Sequence, residues 1–390
     1  MSGRALVRAA WTLALALVAI LLLKVFVCDV YHVDSGSMEP TMFGSPQDGE
    51  SVLVLYGRAE PERFDIVVLQ REGEAAPLVK RVAGLPRETA QIVNGDLLVN
   101  GSRLPASAPR PPPVPVFDDR WQRVEEWFDV PGWWKREGGE WRLDASSLPE
   151  GSPEPFLRLR PGLRDDYLTP DHAVAHGEQS VNDAIVECEI LVELRGEVVI
   201  ELLEQGDVFQ FHAGGGGSEC SGRIARRSEG MPDELLAQDG SSWAHPHAWL
   251  HVRCGNVDNT LTLEILGGSR PILLTAGYAE NRFDKADRLK EGRSFGSRVR
   301  IGGEGALRLR RVRILRDLFW TARGGHGVGA PQDLGPDECF LLGDNSAHSR
   351  DSREWGPVRL AQILGRPTWV VWPPSRIRPL EPRVEGRDVR

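Results

Sequence analysis

The chain of 390 residues has little lysine, and its charge balance is acidic. Only five of its 47 basic residues are lysines, and its formal net charge is −9 at pH 7. Proteins that hold nucleic acid through its phosphates normally present a basic patch, so this balance argues against a nucleic-acid partner. Because lysine is so rare here, a lysine inside an apolar segment is a candidate for a specific role.

Cysteine is also sparse, and no two cysteines have the C-x-x-C spacing of a zinc or thioredoxin-type site. The five are Cys28, Cys188, Cys220, Cys254 and Cys339. If the bulk of the chain lies outside the cytoplasm, some of the last four can pair, and buried free thiols are the alternative. The sequence does not decide between the two.

Histidines 245, 247 and 251 lie close together and suggest a metal site. However, Pro246 interrupts any regular helix between them, and no acidic partner stands beside them. We therefore predict no metal and no cofactor.

The longest apolar run covers residues 9–27 and is interrupted only by Thr12 and Lys24. As a helix it is about 28 Å long, close to the thickness of a bilayer's hydrocarbon core. Arg4 and Arg8 precede it, which places the N-terminus in the cytoplasm and the rest of the chain outside. We predict a cytoplasmic tail (1–8) and a single transmembrane anchor (9–30) in the cytoplasmic membrane, with the lipid bilayer as a partner.

A cleavable secretion signal is the alternative interpretation of this run. It requires a small-x-small site after the apolar stretch, and none stands before the serines at 35 and 37. A lipoprotein signal would require a small residue where Val27 precedes Cys28. The uncleaved anchor therefore fits the sequence better.

Beyond the anchor, residues 31–108 are rich in strand-like segments. Four β-rich runs lie at 51–57, 65–70, 78–84 and 90–101, and Asn94-Gly95 predicts a hairpin turn. Residues 109–120 form a proline-rich segment that we interpret as a linker.

A different composition follows in residues 121–325. Apolar and charged residues alternate at 183–215, 248–268 and 298–315, which is typical of antiparallel strands with one wet face. Residues 326–378 return to the style of 31–108, and 379–390 form a tail. We predict a mainly β protein with one N-terminal transmembrane helix, a split antiparallel β-domain and an inserted β-sandwich.

The predicted insert contains five closely spaced tryptophans, Trp121, Trp127, Trp133, Trp134 and Trp141. Its strand pattern at residues 249–265 resembles the jelly-roll sandwiches of laminin-G and legume-lectin-like domains. One interpretation is that exposed tryptophans bind a glycan or another cell-envelope ligand. The other is that they belong to the core and that the insert is a spacer or a protein-contact surface.

The strongest local motif is Ser35-Gly36-Ser37, followed by Pro40. In an extended chain residues i and i+2 face the same way, so both hydroxyls point to one side around a glycine. One hydroxyl can attack a carbonyl while the other, with a backbone N–H, holds the oxyanion. The same tripeptide is also common in solvated turns.

A serine nucleophile needs a base, and none of the nine histidines stands in a recognisable relation to this motif. Lys80 lies in the otherwise apolar run 77–86. Burial there disfavours the ammonium form and lowers its pKa, so that a neutral amine can accept the serine proton. The alternative is an edge-strand lysine whose amine lies in water.

Four motifs occur in a fixed order after the apolar run: S-G-S-M-x-P-T (35–41), R-x-D-I-V-V (63–68), K-R-V-A-G-L-P (80–86) and G-D-N-x-x-x-S-x-D-S-R-x-W-G-P-V (343–358). Together they resemble the bacterial type I signal peptidases, over about residues 9–104 and 336–374. The resemblance implies a membrane-bound serine endopeptidase with a catalytic domain outside the cytoplasm. Its partners would be the signal peptides of exported preproteins, which it would remove after small-x-small sites.

The resemblance also implies roles for eight residues. These are the nucleophile Ser37, the general base Lys80, the oxyanion-hole donor Ser35, the lysine-orienting hydroxyl Ser349, and the supporting ion pairs Asp351–Arg353 and Arg81–Asp344. Residues 346–348 read Ser-Ala-His where the family usually has Arg-Asp-Asn. This departure leaves the geometry of that loop open.

Two other classes of function share features with this sequence. A self-cleaving repressor also uses a Ser–Lys pair, but it needs a DNA-binding helix-turn-helix and no membrane span. A non-catalytic, membrane-anchored, lectin-like binding protein would keep a vestigial peptidase core. Loss of Ser37, Lys80 or Ser349 would favour that alternative, and all three are present.

Overall fold

A computed structural model describes residues 11–15, 18, 24, 26–57, 60–145, 148–149, 155–160, 162–204, 206–216, 219–228, 230–242, 248–278 and 298–381. The fold is mainly β with a few single-turn helices, which confirms the predicted mainly β character. The chain divides into two compact units. The split unit comprises Met1–Pro112 and Trp320–Gly386, and the inserted unit comprises Pro113–Phe319 with Arg387–Arg390.

The described strands of the split unit come from both sides of the insert. They are β1 (Cys28–His32), β2 (Ser51–Tyr56), β3 (Ile66–Leu69), β4 (Leu78–Gly84), β5 (Thr89–Val93), β6 (Asp96–Val99), β7 (Ser102–Arg103), β23 (Gln332–Asp333), β24 (Glu338–Leu342), β25 (Val358–Arg359), β26 (Ile363–Trp372) and β27 (Arg378–Pro379). Single helical turns are formed by Gly36–Met38, Ser346–His348, Ser352–Trp355, Leu360–Gln362 and Pro374–Arg376.

The main sheet of the split unit mixes strands from the two chain segments. Its order is β1-β2-β26-β3-β4-β24-β25, with β27 paired to β26. All these pairs are antiparallel. A second sheet has the order β23-β5-β6-β7. The predicted hairpin lies between β5 and β6, where Asn94 and Gly95 have the positive φ angles, 56° and 101°, that suit a two-residue turn.

The centre of the main sheet is buried on both faces. Every residue of β3 is buried, and so are the last five of β4. The segment between β1 and β2 contributes Met38 and Met42, both fully buried against a cluster that includes Val52, Val68 and Val370. Burial of these two methionines fixes the segment that carries the serine motif.

The inserted unit holds the remaining described strands. They are β8 (Val114–Asp118), β9 (Phe128–Asp129), β10 (Trp134–Glu137), β11 (Glu140–Asp144), β12 (Leu157–Leu159), β13 (Tyr167–Leu168), β14 (Val174–Ala175), β15 (Ala184–Glu204), β16 (Asp207–Gly216), β17 (Glu219–Ser228), β18 (Glu234–Ser242), β19 (Leu250–Val257), β20 (Thr260–Leu266), β21 (Ile272–Gly277) and β22 (Arg298–Arg316), with one helical turn at Val124–Trp127.

The long antiparallel strands β15 and β22 form the spine of this unit. The first half of β15 also pairs with β19, and its second half with β16. A register shift between Val192 and Gly196 separates the two halves. Strands β17 and β18 lie against β20 and β21, so the sheet folds over one apolar core. The strands of this unit therefore pack in layers around that core.

Residues 114–118, which the sequence assigned to a linker, form β8 and pair with β22. Pro115 is accommodated because it lies at a register shift and β8 pairs with β22 on one side. At the other junction, the chain enters the split unit at Trp320, six residues before the predicted boundary.

Most of the clustered tryptophans belong to the core of the inserted unit. Trp134 and Trp141 are buried, and Trp127 packs against the same cluster. Trp121 is 54% exposed and Trp133 36% exposed. Three of the five clustered tryptophans therefore contribute to the packing of the core.

The N-terminal apolar run is described only in part, at residues 11–15, 18, 24 and 26–30. No helix among the described residues is long and apolar enough to cross a membrane. Many residues of the 9–30 run lie outside the described part of the chain, as do His245 and His247. The anchor therefore stays a prediction.

All five cysteines are free thiols.

The buried core of the inserted unit predicts a clear contrast between two leucines. Leu263 on β20 is 1% exposed, whereas Leu273 on β21 is 52% exposed. We expect Leu263→Ala to lower the free energy of unfolding by about 2–5 kcal/mol, because it leaves a cavity. Leu273→Ala should cost less than about 1 kcal/mol. Urea unfolding followed by tryptophan fluorescence checks this, and equal costs would contradict the assigned core.

Candidate active site

Ser37 lies on the single turn Gly36–Met38 between β1 and β2, and it is 8% exposed. The turn is tight: a Cβ atom at position 36 would lie 2.9 Å from the carboxyl carbon of Glu39. The carbonyl oxygen of Ser37 accepts a hydrogen bond from the backbone N–H of Asn345 at 3.1 Å. Both chain segments therefore hold the main chain of this serine.

Lys80 lies in the middle of β4 and is 2% exposed. Its Nζ atom donates hydrogen bonds to Ser37 Oγ and to the carbonyl oxygen of Val79, both at 2.8 Å. The structure thus joins the two residues that the sequence singled out as nucleophile and base. The lysine is buried, unlike an edge-strand lysine with its amine in water.

Burial lowers the pKa of Lys80 from its ordinary value of 10.5 to about 8. The carboxylates of Asp351 and Asp344 oppose this shift, and Arg353 adds to it. Desolvation dominates because the ammonium loses more hydration free energy on burial than it gains by attraction to these carboxylates. At pH 8 a large fraction of the amine is therefore neutral and able to accept a proton from Ser37.

Ser35 lies beside Ser37 on the more open side of the site. Its Oγ donates a weak hydrogen bond to Ser37 Oγ at 3.4 Å. The backbone of Gly44 packs closely against it, since a Cβ atom at position 44 would lie 1.9 Å from the carbonyl oxygen of Ser35. The two hydroxyls are therefore neighbours as predicted, but Gly36–Met38 form a helical turn and not the extended chain on which the prediction rested.

Arg81 and Asp344 form a two-fold hydrogen-bonded ion pair with fully buried side chains. Arg81 Nε donates to Asp344 Oδ1 at 2.7 Å, and Nη2 donates to Oδ2 at 2.6 Å. The hydroxyl of Thr41 donates to the same carboxylate at 2.5 Å. This cluster ties β4, the loop after β24 and the serine segment together.

Asp351 and Arg353 form a second buried pair, with Nε–Oδ1 at 2.8 Å and Nη2–Oδ2 at 2.7 Å. Asp351 also accepts the backbone N–H of Gly343 at 2.9 Å. Arg353 donates further to the carbonyl and the hydroxyl of Thr321, both at 2.9 Å. The pair therefore fixes the loop that follows β24.

The predicted hydrogen bond between Ser349 and Lys80 is not formed. Ser349 is 9% exposed, and its Oγ has no hydrogen-bond partner among the described residues. It packs against Gly343, where a Cβ atom would lie 2.1 Å from this hydroxyl and 2.6 Å from the carbonyl oxygen of Ser37. The lysine instead takes Val79 as its second partner.

Sequence reasoning missed several residues that support the site. Trp320 donates from its indole N–H to the carbonyl of Gly343 at 3.2 Å and stacks on Phe64 with 6.4 Å between ring centroids. Thr321 accepts from Arg353. Both positions fell inside the predicted insert, and the short apolar run Leu318-Phe319-Trp320 is the sequence signal of a buried role.

Two segments of the chain, residues 6–130 and 320–372, match the family model "Signal peptidase, peptidase S26". Signal peptidase I P of Bacillus subtilis subsp. natto is 38% identical over 90 residues, which are 23% of this chain and 48% of the relative. Signal peptidase I S of Bacillus subtilis strain 168 is 36% identical over 92 residues, which are 24% of this chain and 48% of the relative. These matches confirm the resemblance predicted from the sequence, although the chain spans about half the length of these relatives.

Among solved structures, a carbohydrate-binding module of Bacillus subtilis, CBM66, matches with a TM-score of 0.29 at 10% identity. The match covers 48% of this chain and 94% of that module. A score this low assigns neither a fold nor a ligand to the inserted unit.

The buried amine makes a prediction about stability that does not depend on any activity. Below pH 8 Lys80 is protonated in both the folded and the unfolded chain, so the desolvation cost is fully present. Between about pH 8 and 10.5 the unfolded chain binds more protons, and the cost disappears as the pH rises. Lys80→Met should therefore raise the free energy of unfolding below pH 8, by up to about 3 kcal/mol.

Denaturant unfolding of both proteins between pH 6 and 10.5 measures this difference. Lys135→Met, at an exposed lysine on β10, is the matched control and should show no such trend. A stability gap between Lys80→Met and the unaltered protein that does not change with pH would refute the lowered pKa.

Proposed function

We propose that this chain, whose split unit resembles the signal peptidases, is a serine endopeptidase that removes signal peptides from exported preproteins after small-x-small sites. The observation that carries the proposal is the 2.8 Å contact between the buried amine of Lys80 and the hydroxyl of Ser37. A nucleophile paired with a base of lowered pKa is the arrangement that acyl transfer requires.

In the proposed reaction, Ser37 Oγ attacks the carbonyl carbon of the scissile peptide while neutral Lys80 accepts its proton. The tetrahedral intermediate collapses to an acyl-enzyme, and the protonated lysine donates a proton to the departing amine. Water then attacks the acyl-enzyme with the neutral lysine as base, and Ser37 is regenerated. A pKa near 8 suits both halves of this cycle.

Ser35 is proposed to hold the oxyanion together with the backbone N–H of Ser37. In the absence of substrate its hydroxyl donates to Ser37 Oγ at the long distance of 3.4 Å. A carbonyl oxygen that gains negative charge is a much better acceptor, so the hydroxyl would turn to it in the transition state.

The remaining assigned residues are proposed to position this pair. Ser349 offers a buried hydroxyl with no partner in the described residues, close to the main chain of Ser37. A hydroxyl in this state can take up a hydrogen bond to the lysine amine once Ser37 Oγ has been acylated. The ion pairs Asp351–Arg353 and Arg81–Asp344 hold the loop on which Ser349 lies.

The substrate is proposed to bind as an extended strand beside β4. Strand β24 pairs with β4 from Arg81 to Gly84, whereas Leu78–Lys80 pair with β3. Among the described strands, none covers the other edge of Leu78–Lys80. A peptide can therefore add main-chain hydrogen bonds there, next to the amine of Lys80, with shallow pockets that select small side chains.

The apolar run at residues 9–30 is proposed to anchor the enzyme in the cytoplasmic membrane, with the split unit outside the cytoplasm. A signal peptide carries its own apolar stretch in the same bilayer. Both partners would then be confined to one depth, which raises the effective concentration of the cleavage site.

The direct test is cleavage of a preprotein with an Ala-x-Ala site by the detergent-solubilised protein. The new N-terminus, read by mass spectrometry, should begin immediately after that site. Ser37→Ala and Lys80→Ala should each abolish turnover while the protein stays folded, and Ser102→Ala, at an exposed serine, should cleave normally. Turnover in either dyad variant would refute the assignment; a folded wild-type protein inactive on several precursors would favour the anchored binding protein.

A further ion pair holds the serine segment from the C-terminal side. The fully buried carboxylate of Glu50 accepts from Arg378 Nη1 at 2.7 Å and Nη2 at 3.0 Å. Arg378 also donates to the carbonyl of Thr41 at 2.9 Å, and Glu50 accepts the N–H of Phe43 at 3.1 Å. Arg378 lies beyond residue 372, where the family match ends. We assign it a positioning role for the segment that carries Ser37.

Arg378→Ala should lower kcat by up to about 100-fold, since small displacements of reacting groups have effects of this size. It also leaves Glu50 buried and unpaired, which destabilises the loop. Adding Glu50→Gln removes that charge and should recover part of the lost kcat, which an effect on substrate binding alone would not produce. Arg359→Ala, at an exposed arginine, serves as the control. An unchanged kcat in folded Arg378→Ala would exclude the positioning role.

A further inference from the structure

A groove crosses one face of the inserted unit, on the strands β15, β16 and β17. Its volume is about 500 Å³, and an adjoining hollow of about 330 Å³ shares Arg223 and Gln238 with it. Volumes in this range are typical of ligand sites. None of the residues assigned to the peptidase reaction lines either cavity.

The floor of the groove consists of polar side chains that are buried. Glu201, Gln210 and His212 are 3%, 7% and 9% exposed. They alternate with core residues such as Phe209 and Phe211, because successive side chains of a strand point to opposite faces. Burying polar groups is costly unless each is hydrogen-bonded.

The first floor pair satisfies this requirement. Gln210 Nε2 donates to Glu201 Oε1 at 2.9 Å, and these two residues are direct neighbours across β15 and β16. Arg300 lies 3.3 Å from the other carboxylate oxygen of Glu201. The carboxylate is therefore fixed in orientation and its charge is balanced by the arginine.

The second floor cluster is built in the same way. His212 Nδ1 lies 2.9 Å from Glu197 Oε1, and Arg223 Nη2 lies 2.9 Å from the same nitrogen and 3.4 Å from the same oxygen. The hydrogen bond from His212, with the charge of Arg223, lowers the pKa of Glu197. Along the wall, Arg227 pairs with Asp233 at 3.2 Å.

The charges of the groove indicate what kind of ligand fits. Its lining carries more carboxylates than arginines, which disfavours an anionic ligand. The floor carboxylates already have arginine partners, so the groove does not require a cation either. An extended peptide would need a free strand edge for its main chain, whereas this groove offers side chains on a sheet face.

A hydroxyl group both donates and accepts hydrogen bonds, so it matches a floor of amide, imidazole, carboxylate and guanidinium groups. The apolar surfaces of Pro155 and Leu235 in the wall suit the C–H faces of a sugar ring. We propose that this groove binds a neutral saccharide chain, with ring hydroxyls held by Gln210, His212 and Arg223. This site differs from the exposed tryptophans that the sequence suggested.

The test uses the intact detergent-solubilised protein on an array of immobilised oligosaccharides. The neutral probes are gluco-, xylo- and N-acetylated chito-oligosaccharides, and the anionic probes are sulfated and uronate oligosaccharides. We expect binding to at least one neutral class, with a Kd at least tenfold weaker in Arg223→Ala and in Gln210→Ala. The Arg223 side chain is 45% exposed, so its removal should leave the fold intact.

Gln179→Ala changes an exposed glutamine of the same unit that does not line the groove, and it should bind as the unaltered protein does. Folded protein that binds no neutral probe, that prefers the anionic probes, or that binds equally well in both groove variants would overturn the proposal. Saccharide binding is measured separately from preprotein cleavage, which Arg223→Ala should leave unchanged, so that failure of one assignment is distinguishable from failure of the other.

Discussion

The site depends above all on the burial of the amine of Lys80 beside the hydroxyl of Ser37, which is energetically unfavourable. The main sheet makes this possible because β4 pairs with β3 at Lys80 and every residue of β4 from Lys80 to Gly84 is buried. The same desolvation that lowers the pKa also destabilises the fold. The surrounding apolar strands and buried ion pairs must therefore supply enough stability to hold a lysine where water cannot solvate it.

The ion pairs have a second role, since each links elements that are distant in the chain. Arg81 and Asp344 are 263 residues apart, and Glu50 and Arg378 are 328 apart. Breaking a buried pair by removing one partner is strongly destabilising. Closing a long connection costs little more than closing a short one, because the entropy grows only with the logarithm of its length. A whole β-unit can therefore occupy the connection between β7 and β23 while the split sheet remains intact.

Short sequence patterns predicted those parts of the structure that depend on interactions between neighbouring residues. The apolar run around Lys80, the Asn94-Gly95 turn and the ordered motifs each depend on a few neighbouring residues. Which side chains meet across hundreds of residues is set by strand order. Neither the hydroxyl of Ser349, which has no partner among the described residues, nor the contacts of Arg378 therefore had a sequence signal. In the sequence, Gln210 and His212 match the solvent-facing side of an alternating strand. The groove forms only when the neighbouring strands are in place, so the strand's own sequence does not predict it.

The position of β26 between β2 and β3 has a consequence for the order of events during synthesis. Residues 28–112 emerge from the ribosome with Ser37 and Lys80 but without the strand that separates β2 from β3, and without β24 beside β4. The dry pocket around the lysine cannot close until residue 372 has been made. A chain cut short before residue 372 therefore lacks the strands that complete the main sheet, and it cannot keep the amine of Lys80 away from water.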